Sequence, residues 1–300
     1  MSKRNLIIKY FVVLAGMLSP LFCVAQNVLE VVRLEYGFYP GNTFENKNSD
    51  TFHAGSQAFT ASFRAPVFIS PKWQILGSVQ FENFQIEQDE YVFLQNVSGV
   101  AANFTALRRF EKLSFYTASE IKYSSDKWTG FSGNDLIFRG STGVVQLKEG
   151  AVKMLGLGVG ASSDFGIPTV IPVFFFRSEV NKKLQFETIF PLKSRFSYHW
   201  KPKTYVGIQY FVRYNAFVVS PEFKTESLKF GKIRNINGAI FCEQKIFRNL
   251  WLTGSGGALF RNVVFLYDEN RHEMDKLVGG MNYFVNFELS LKLNRNAPEF

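Results

Sequence analysis

The sequence predicts an all-β protein: a transmembrane, antiparallel, up-and-down β-barrel of about fourteen strands. Three observations lead to this prediction. Segments of about ten residues or more alternate apolar and polar side chains, an export signal precedes them, and short turns alternate with longer loops. Successive side chains of a strand point to opposite faces, so each segment has one apolar and one polar wall. Strands of bacterial outer-membrane barrels have this pattern.

The clearest alternation lies near the C-terminus. One face of this segment carries Met281, Tyr283, Val285, Phe287, Leu289 and Leu291. The other face is mostly polar and includes Asn282, Asn286 and Glu288. A strand with these two faces is expected to place its apolar side against lipid and its polar side in the barrel interior.

The N-terminus has the features of a secretory signal peptide. Lys3 and Arg4 form a basic head, an apolar stretch follows, and Cys23-Val24-Ala25 supplies small residues before Gln26. We therefore expect cleavage after Ala25. Residues 1–25 are the predicted signal peptide and residues 26–300 the predicted barrel domain, exported to the cell outer membrane.

Composition excludes several other classes. The mean hydropathy of −0.03 is too low for a helical membrane protein, whereas 34 phenylalanines suit a lipid-facing wall. The formal net charge is +9, but the basic residues are scattered, so nucleic acid is not an expected partner. Cys242 would be alone in the mature chain and cannot form an intramolecular disulfide.

The connections between strands alternate in length. Tight and mostly basic turns are predicted at Ser70–Lys72, Arg108–Lys112, Lys148–Gly150, Asn181–Lys183, Lys201–Lys203 and Phe247–Asn249. Longer polar loops are predicted at Pro40–His53, Asp126–Asn134, Ser220–Gly231 and Tyr267–Gly279. Short turns belong on the periplasmic side of such barrels. Trp73, Trp200 and Trp251 lie beside tight turns and predict an aromatic girdle there.

The side-chain alternation and the spacing of turns and loops together predict fourteen strands, with both chain ends on the periplasmic side. The pair at 184–190 and 193–199 is short, and Pro191 between its members cannot donate to a ladder. The alternative is therefore a barrel of twelve strands with this hairpin folded inside.

Charged side chains of both signs are expected to line the lumen. The candidate lumen-lining residues are Arg64, Glu82, Glu120, Lys122, Arg139, Glu187, Arg195, His199, Arg213, Glu288 and Lys292. Such a mixture has two interpretations: a salt-bridged filling that closes the barrel, or the wall of a selective pore.

Motifs of enzymes are weak in this chain. Gly156, Gly158 and Gly160 lie in mid-strand, where they predict a bare lumen wall rather than a phosphate-binding loop. Ser197 and His199 share a strand face, as in outer-membrane phospholipases, but no third residue orients the histidine. No metal-ligand spacing is visible. We therefore predict neither an enzyme nor a cofactor.

The chain resembles an uncharacterised family of bacterial outer-membrane β-barrels, of the domain-of-unknown-function type. The resemblance rests on Pro71-Lys72-Trp73, on the Phe190-Pro191 break, on Lys201-Pro202-Lys203 and on the last strand. It implies a barrel and no activity. The expected function is a passive channel or transporter for small or amphipathic solutes, with a structural or surface-interaction barrel as the alternative and a membrane-embedded hydrolase as the third interpretation. Outer-membrane lipid, lipopolysaccharide and the barrel-assembly machinery are the expected partners.

Overall fold

The computed structural model describes residues 28–46, 51–88, 96–111, 113–126, 135–147, 152–164, 167–181, 183–219 and 228–294. The predicted signal peptide therefore lies outside the described residues. Within them, no helix is long and apolar enough to cross a membrane.

The described chain consists of β-strands. They are β1 (Val28–Glu45), β2 (Thr51–Ile69), β3 (Trp73–Gln88), β4 (Asn96–Arg109), β5 (Ser114–Ser125), β6 (Ile137–Leu147), β7 (Val152–Asp164), β8 (Ile167–Asn181), β9 (Leu184–Phe190), β10 (Lys193–Lys201), β11 (Thr204–Val218), β12 (Leu228–Phe247), β13 (Leu250–Asp268), β14 (Glu273–Gly279) and β15 (Asn282–Asn294). Both β14 and β15 pair with β13 and with β1, so together they form one crossing interrupted at Gly280 and Met281.

The strands form a closed antiparallel barrel of fourteen crossings. Each crossing pairs with the next along the chain, and β15 pairs with β1 from Val28↔Asn294 to Phe38↔Val285. This confirms the predicted fold class. The twelve-stranded alternative is wrong, because β9 and β10 lie in the wall, where they pair with β8 and β11. The hairpin is short, but its backbone groups find partners on both sides.

The outer face of the barrel is apolar and aromatic. Leu157, Ile240 and Met281 are each at least 70% exposed, and most large exposed side chains of the strands are apolar. Trp73 and Trp200 are exposed on this face beside short turns, as the predicted girdle requires. Trp251 is different: it pairs with buried Ser290 and contacts Lys292 inside the barrel. The girdle prediction was wrong for Trp251 because a position beside a turn does not fix the face.

Two ends of the barrel can be defined by their connections. The turn end carries the short connections and both chain ends of the barrel, and the loop end carries the connections that follow β1, β3 and the other odd-numbered strands up to β13. Two predicted loops at the loop end prove to be mostly strand. β1 runs on to Glu45 past a register shift between Tyr39 and Asn42, and β13 and β14 form a hairpin up to Asp268. Pro40 and the charged residues near Asp268 suggested loops, but packing at the loop end stabilises strands.

The barrel narrows at its loop end. Val218 of β11 pairs with Ser125 of β5, and the Asp126 backbone N–H donates to the Val218 carbonyl at 3.3 Å. β11 therefore closes against β5, and in the described residues nine crossings, β11–β15 and β1–β5, surround the interior at this level. We call β6–β10 the side lobe.

Glycines on β6 and β7 make room for aromatic rings inside the side lobe. A Cβ at Gly143 would lie 2.7 Å from the Tyr116 ring, and one at Gly158 would lie 2.9 Å from the Tyr116 hydroxyl. Tyr116 reaches over this bare wall to Phe175 of β8, with ring centroids 4.7 Å apart. The space that the glycines leave is thus occupied by the protein's own side chains.

Candidate functional site: the barrel interior

Arg213 of β11 lies at the centre of a polar cluster inside the barrel. Its guanidinium donates hydrogen bonds to the Glu35 carboxylate and to the Tyr39 hydroxyl, both on β1. Glu35 also accepts a hydrogen bond from Arg33 at 2.6 Å. Only 8% of the Glu35 side chain is exposed. These contacts join two walls of the barrel that are not neighbours in the sheet.

A second cluster joins β11 to β3 and β5. The Lys122 ammonium donates to the Glu82 carboxylate, and it also donates to the Asn215 side-chain oxygen at 2.8 Å. The Lys122 side chain is 3% exposed. Asn215 is two residues from Arg213 on the same face of β11, so both clusters lie at about one height in the barrel.

In the side lobe, Arg139 and Glu120 form an ion pair at 3.0 Å, and the Arg139 guanidinium lies 5.1 Å from the centre of the Tyr214 ring. Nearer the turn end, Glu243 accepts hydrogen bonds from Arg195 at 2.7 Å and from Lys292 at 2.9 Å. Glu243 thus links three walls of the barrel around a carboxylate that is 9% exposed.

The first two clusters form a belt across the lumen at mid-depth, which we call the ion-paired belt (Glu35, Tyr39, Glu82, Lys122, Arg213 and Asn215). It reaches from β11 to β1, β3 and β5. Buried charges are tolerated only when they are paired and hydrogen-bonded, and this belt meets both conditions. A salt-bridged filling, one of the two interpretations of the mixed charges, describes this part of the interior.

From the level of the belt toward the loop end, the interior contains clusters of buried apolar side chains. Side chains from several walls pack together there: Phe44, Ala58, Val97, Phe217, Val219, Ile233, Ala239, Leu259, Leu266, Leu277 and Phe284. We call this set the apolar plug. Phe217 is fully buried, and Phe284 and Leu259 are each 1% exposed. Outer-membrane barrels usually have polar interiors, so a plug of this composition is a distinctive feature of the chain.

A small cavity remains within the plug. Its volume is about 50 Å³, and its walls include Phe44, Ile86, Val264 and Leu277. Asn42, Asn262 and Asn282 also line it. Ligand pockets for drug-sized molecules are much larger, roughly 300 Å³ or more. This cavity is therefore too small to hold a drug-sized molecule.

Below the belt the interior is polar and more accessible. Arg64 lies on the inner face of β2, where it pairs with Ser78 and is exposed. Thr105 on β4 is also exposed on the inner face. Arg33 forms an ion pair with Glu288 at 2.9 Å and remains 37% exposed. We call this region the turn-end vestibule.

The remaining candidate residues lie on the inner face of the β9–β10 hairpin. Glu187 pairs in register with Arg195, and His199 stacks on Tyr205 with ring centroids 4.6 Å apart. Sequence reasoning missed Arg33, Glu35 and Glu243. Each alternates with apolar outward residues, so the strand period alone could have placed them inside.

The serine–histidine pair on β10 is not arranged as a catalytic relay. The His199 ring stacks on Tyr205, and its Nε2 is buried without a hydrogen-bond partner. No hydrogen bond joins it to Ser197, which a nucleophile and its base require. Among the described residues, no group of three or more metal-ligating side chains is assembled.

A comparison with protein families identifies the family of this barrel. The family described as "Domain of unknown function (DUF6268)" matches residues 22–296. The chain belongs to this family. The match spans the whole barrel and assigns no activity. No curated protein matches the chain.

Solved structures with a similar chain path include outer-membrane proteins. The COG4313 outer membrane channel from Pseudomonas putida F1 has a TM-score of 0.45 at 9% identity, covering 92% of this chain and 98% of that one. The toluene transporter TodX of P. putida has a TM-score of 0.42 at 8% identity, covering 91% and 92%. The outer membrane protease OmpT from Escherichia coli has a TM-score of 0.31 at 7% identity, covering 90% and 99%.

Proposed function

We propose that this protein is an outer-membrane transporter for small amphipathic or apolar solutes, closed to ions in the state described. The observation that carries the proposal is the division of the interior. The turn-end vestibule is polar, the ion-paired belt crosses the middle, and the apolar plug fills the loop end. An open pore for hydrophilic solutes would need a polar, water-filled lumen along its whole length.

The apolar lining favours solutes that leave water readily. Apolar surface removed from water contributes roughly 25 cal/mol per Å² to the free energy of transfer. A charged or strongly polar solute would instead lose its hydration against Phe44, Leu266 and Leu277, which costs several kcal/mol without compensating hydrogen bonds. The plug therefore excludes charged and strongly polar molecules from the barrel axis.

A second candidate function is a structural or surface-interaction barrel without transport. The ion-paired belt favours it, because paired buried charges join walls that the sheet does not connect. Arg213 and Glu35 are 178 positions apart in the chain and hold β11 against β1. A barrel that serves only as a scaffold needs such cross-links and no passage.

Uptake by Gram-negative cells that produce the chain separates the two candidates. We expect cells with the protein to take up the apolar fluorophore 1-N-phenylnaphthylamine several times faster than cells without it. Uptake of a hydrophilic β-lactam should not change. Faster β-lactam uptake would indicate an open porin, and no change with either probe would leave the structural barrel as the better account.

The location and partners belong to the same proposal. The signal-peptide features at residues 1–25 and the apolar outer face support export to the outer membrane. The barrel-assembly machinery, outer-membrane lipid and lipopolysaccharide are the proposed partners, and the turn end would face the periplasm. The candidate lumen-lining residues are proposed to act in solute passage only where they line the turn-end vestibule and the inner face of the hairpin.

A further inference from the structure

The wall of the barrel is incomplete above the tip of the β9–β10 hairpin. The β8–β9 ladder ends at Phe174↔Phe190, and the β10–β11 ladder ends at Lys193↔Phe211. β8 continues toward the loop end over Ile167–Val173, and β11 continues over Val212–Val218. In the described residues, the β8 extension pairs only with β7, and the β11 extension pairs only with β12 and with Ser125 of β5. Within this part of the chain, the two extensions do not pair with each other. We call the space between them the notch.

The notch begins within the height of the apolar outer band. β9 has 7 residues, which rise about 18 Å along the barrel axis at the usual rise per residue and strand tilt. The apolar band of such barrels is about 25 Å tall. The residues at the tip also suit a position within the apolar band. Phe190 is 59% exposed and Leu192 is 41% exposed, on either side of Pro191. Two exposed apolar side chains at a turn suit lipid better than water.

The backbone at the notch indicates water on one side of it. Unpaired N–H and C=O groups do not occur against lipid, and they are tolerated in a membrane protein only where they line a hydrated space or are buried in protein. Pro168 and Pro172 have no backbone N–H, so the open edge of β8 lacks two hydrogen-bond donors. This lowers the number of backbone groups that need a partner but does not reduce it to zero. In the described part of the chain, the remaining groups of this edge have no strand partner, so they need water or polar protein groups beside them.

Near the loop end, β11 packs against β6 and, in the described residues, does not pair with β8. Tyr214 lies against Arg139, and Ala216 packs with Ile137 and Phe230 and is fully buried. The face of β11 that would otherwise meet lipid is thus covered by β6. The single backbone hydrogen bond at the tip runs from the Val212 N–H to the Leu192 carbonyl at 2.8 Å. The two edges of the notch are therefore separated rather than poised to pair.

Below the tip the inner face of the hairpin changes from apolar to charged. Ile189 is partly exposed, and Lys193 pairs with it in register across the hairpin. Arg195 below them is 22% exposed. These residues lie on the turn-end side of the notch, and none of them belongs to the apolar plug.

From these observations we infer that the notch is a lateral opening through which a small apolar or amphipathic molecule passes between the outer leaflet of the membrane and the inner face of the β9–β10 hairpin. This inference rests on the proposed function and names its route. The apolar tip receives the apolar part of the solute. The charged residues below the tip accept its polar part.

Cysteine labelling tests the opening without transport. In mature protein carrying Cys242→Ser, reconstituted in lipid vesicles, Ile189→Cys places a thiol just below the tip. Pyrene maleimide dissolved in the bilayer should label it at least ten times faster than Ala101→Cys, a buried inner-face position on β4. Adding Val212→Trp, which fills the notch above the tip, should slow labelling of Ile189→Cys several-fold. Equal labelling of the two thiols, or no effect of Val212→Trp, would overturn the inference.

Uptake in cells distinguishes failure of the route from failure of the function. Val212→Trp should reduce 1-N-phenylnaphthylamine uptake several-fold, whereas Val79→Trp, 55% exposed on the outer face of β3, should leave it unchanged. Leu192→Trp serves as a second filling variant if Val212→Trp does not fold. No uptake by the wild type would contradict the proposed function, with labelling still deciding the notch. Unchanged uptake in a folded filling variant would contradict the lateral route alone.

Discussion

Arg213 joins two walls of the barrel across the lumen. It lies among β1 residues across the lumen, and two different groups accept its hydrogen bonds, the Glu35 carboxylate and the Tyr39 hydroxyl. Neither partner is near it in the chain or in the sheet. Its removal would leave Glu35, which is 8% exposed, with Arg33 as its remaining charged partner.

We expect Arg213→Ala to lower the free energy of unfolding by about 3 kcal/mol, because a buried carboxylate loses its principal partner. The paired variant Arg213→Met with Glu35→Gln should cost less than the sum of its two single substitutions, because no buried charge is then left uncompensated. Urea unfolding in lipid vesicles measures both. Additive costs would show that the two side chains do not depend on each other.

The alternation of apolar and polar side chains predicts which face of its strand a residue lies on. It does not predict which strand lies opposite that residue across the lumen. Arg213, Lys122 and Glu82 were assigned to the interior from the strand period, and the structure places them on the inner face. Their partners across the lumen could not be derived, because the cross-section of a barrel depends on how its walls lean. Asn286 illustrates the same limit: its inner-face position was predicted, but its 7% exposure was not.

Among the strands and their connections, the described tight turns were predicted well, whereas two of the predicted loops prove to be mostly strand. Tight turns have strong local signals, such as Pro71 and Pro202, and the strands begin and end within a few residues of them. At the loop end, the charged stretch after Asp268 contains a strand because Leu277 packs against Phe44 and Leu266. Tertiary packing there overrides the local composition.

The glycines on the inner face of β6 and β7 give a testable prediction about packing between these strands. A Cβ at Gly143 would lie 2.4 Å from the Leu157 carbonyl oxygen and 2.7 Å from the Gly158 Cα, and backbone atoms cannot move aside easily. We expect Gly143→Ala to reduce the free energy of unfolding by about 1–3 kcal/mol through overpacking. The matched control is Gly254→Ala, whose Cβ would meet only the Phe287 ring, at 3.9 Å.

The control should change the free energy of unfolding by less than about 0.5 kcal/mol. Both variants can be followed by the loss of the compact band on unheated gels as urea increases. Similar midpoints for Gly143→Ala and wild type would mean that the β6–β7 wall is looser than the contacts around Tyr116 indicate.

In the molecule as a whole, the number of strands does not determine how open the lumen is. Fourteen strands can enclose a wide channel, and the sequence supports that perimeter. Within the described residues, however, β11 pairs with β5 and buried apolar side chains fill the loop end of the interior. The position of β11 follows from contacts such as Tyr214 with Arg139. No pattern along β11 alone indicates it.

The filled loop end has a consequence for how solutes cross. A straight path along the barrel axis meets the apolar plug and then the ion-paired belt. The notch and the inner face of the hairpin avoid both. We therefore propose that the apolar plug and the ion-paired belt together close the axis of the barrel.

Ion conductance in planar bilayers measures this closure. Purified wild-type protein is expected to add no steady ohmic steps. The double variant Arg213→Ala with Phe217→Ala, which removes a side chain from the belt and a ring from the apolar plug, is predicted to produce brief conductance steps, with Gly254→Ala as a silent control. Large, stable steps from the wild type, unchanged in the double variant, would contradict closure of the axis and indicate an open axial pore.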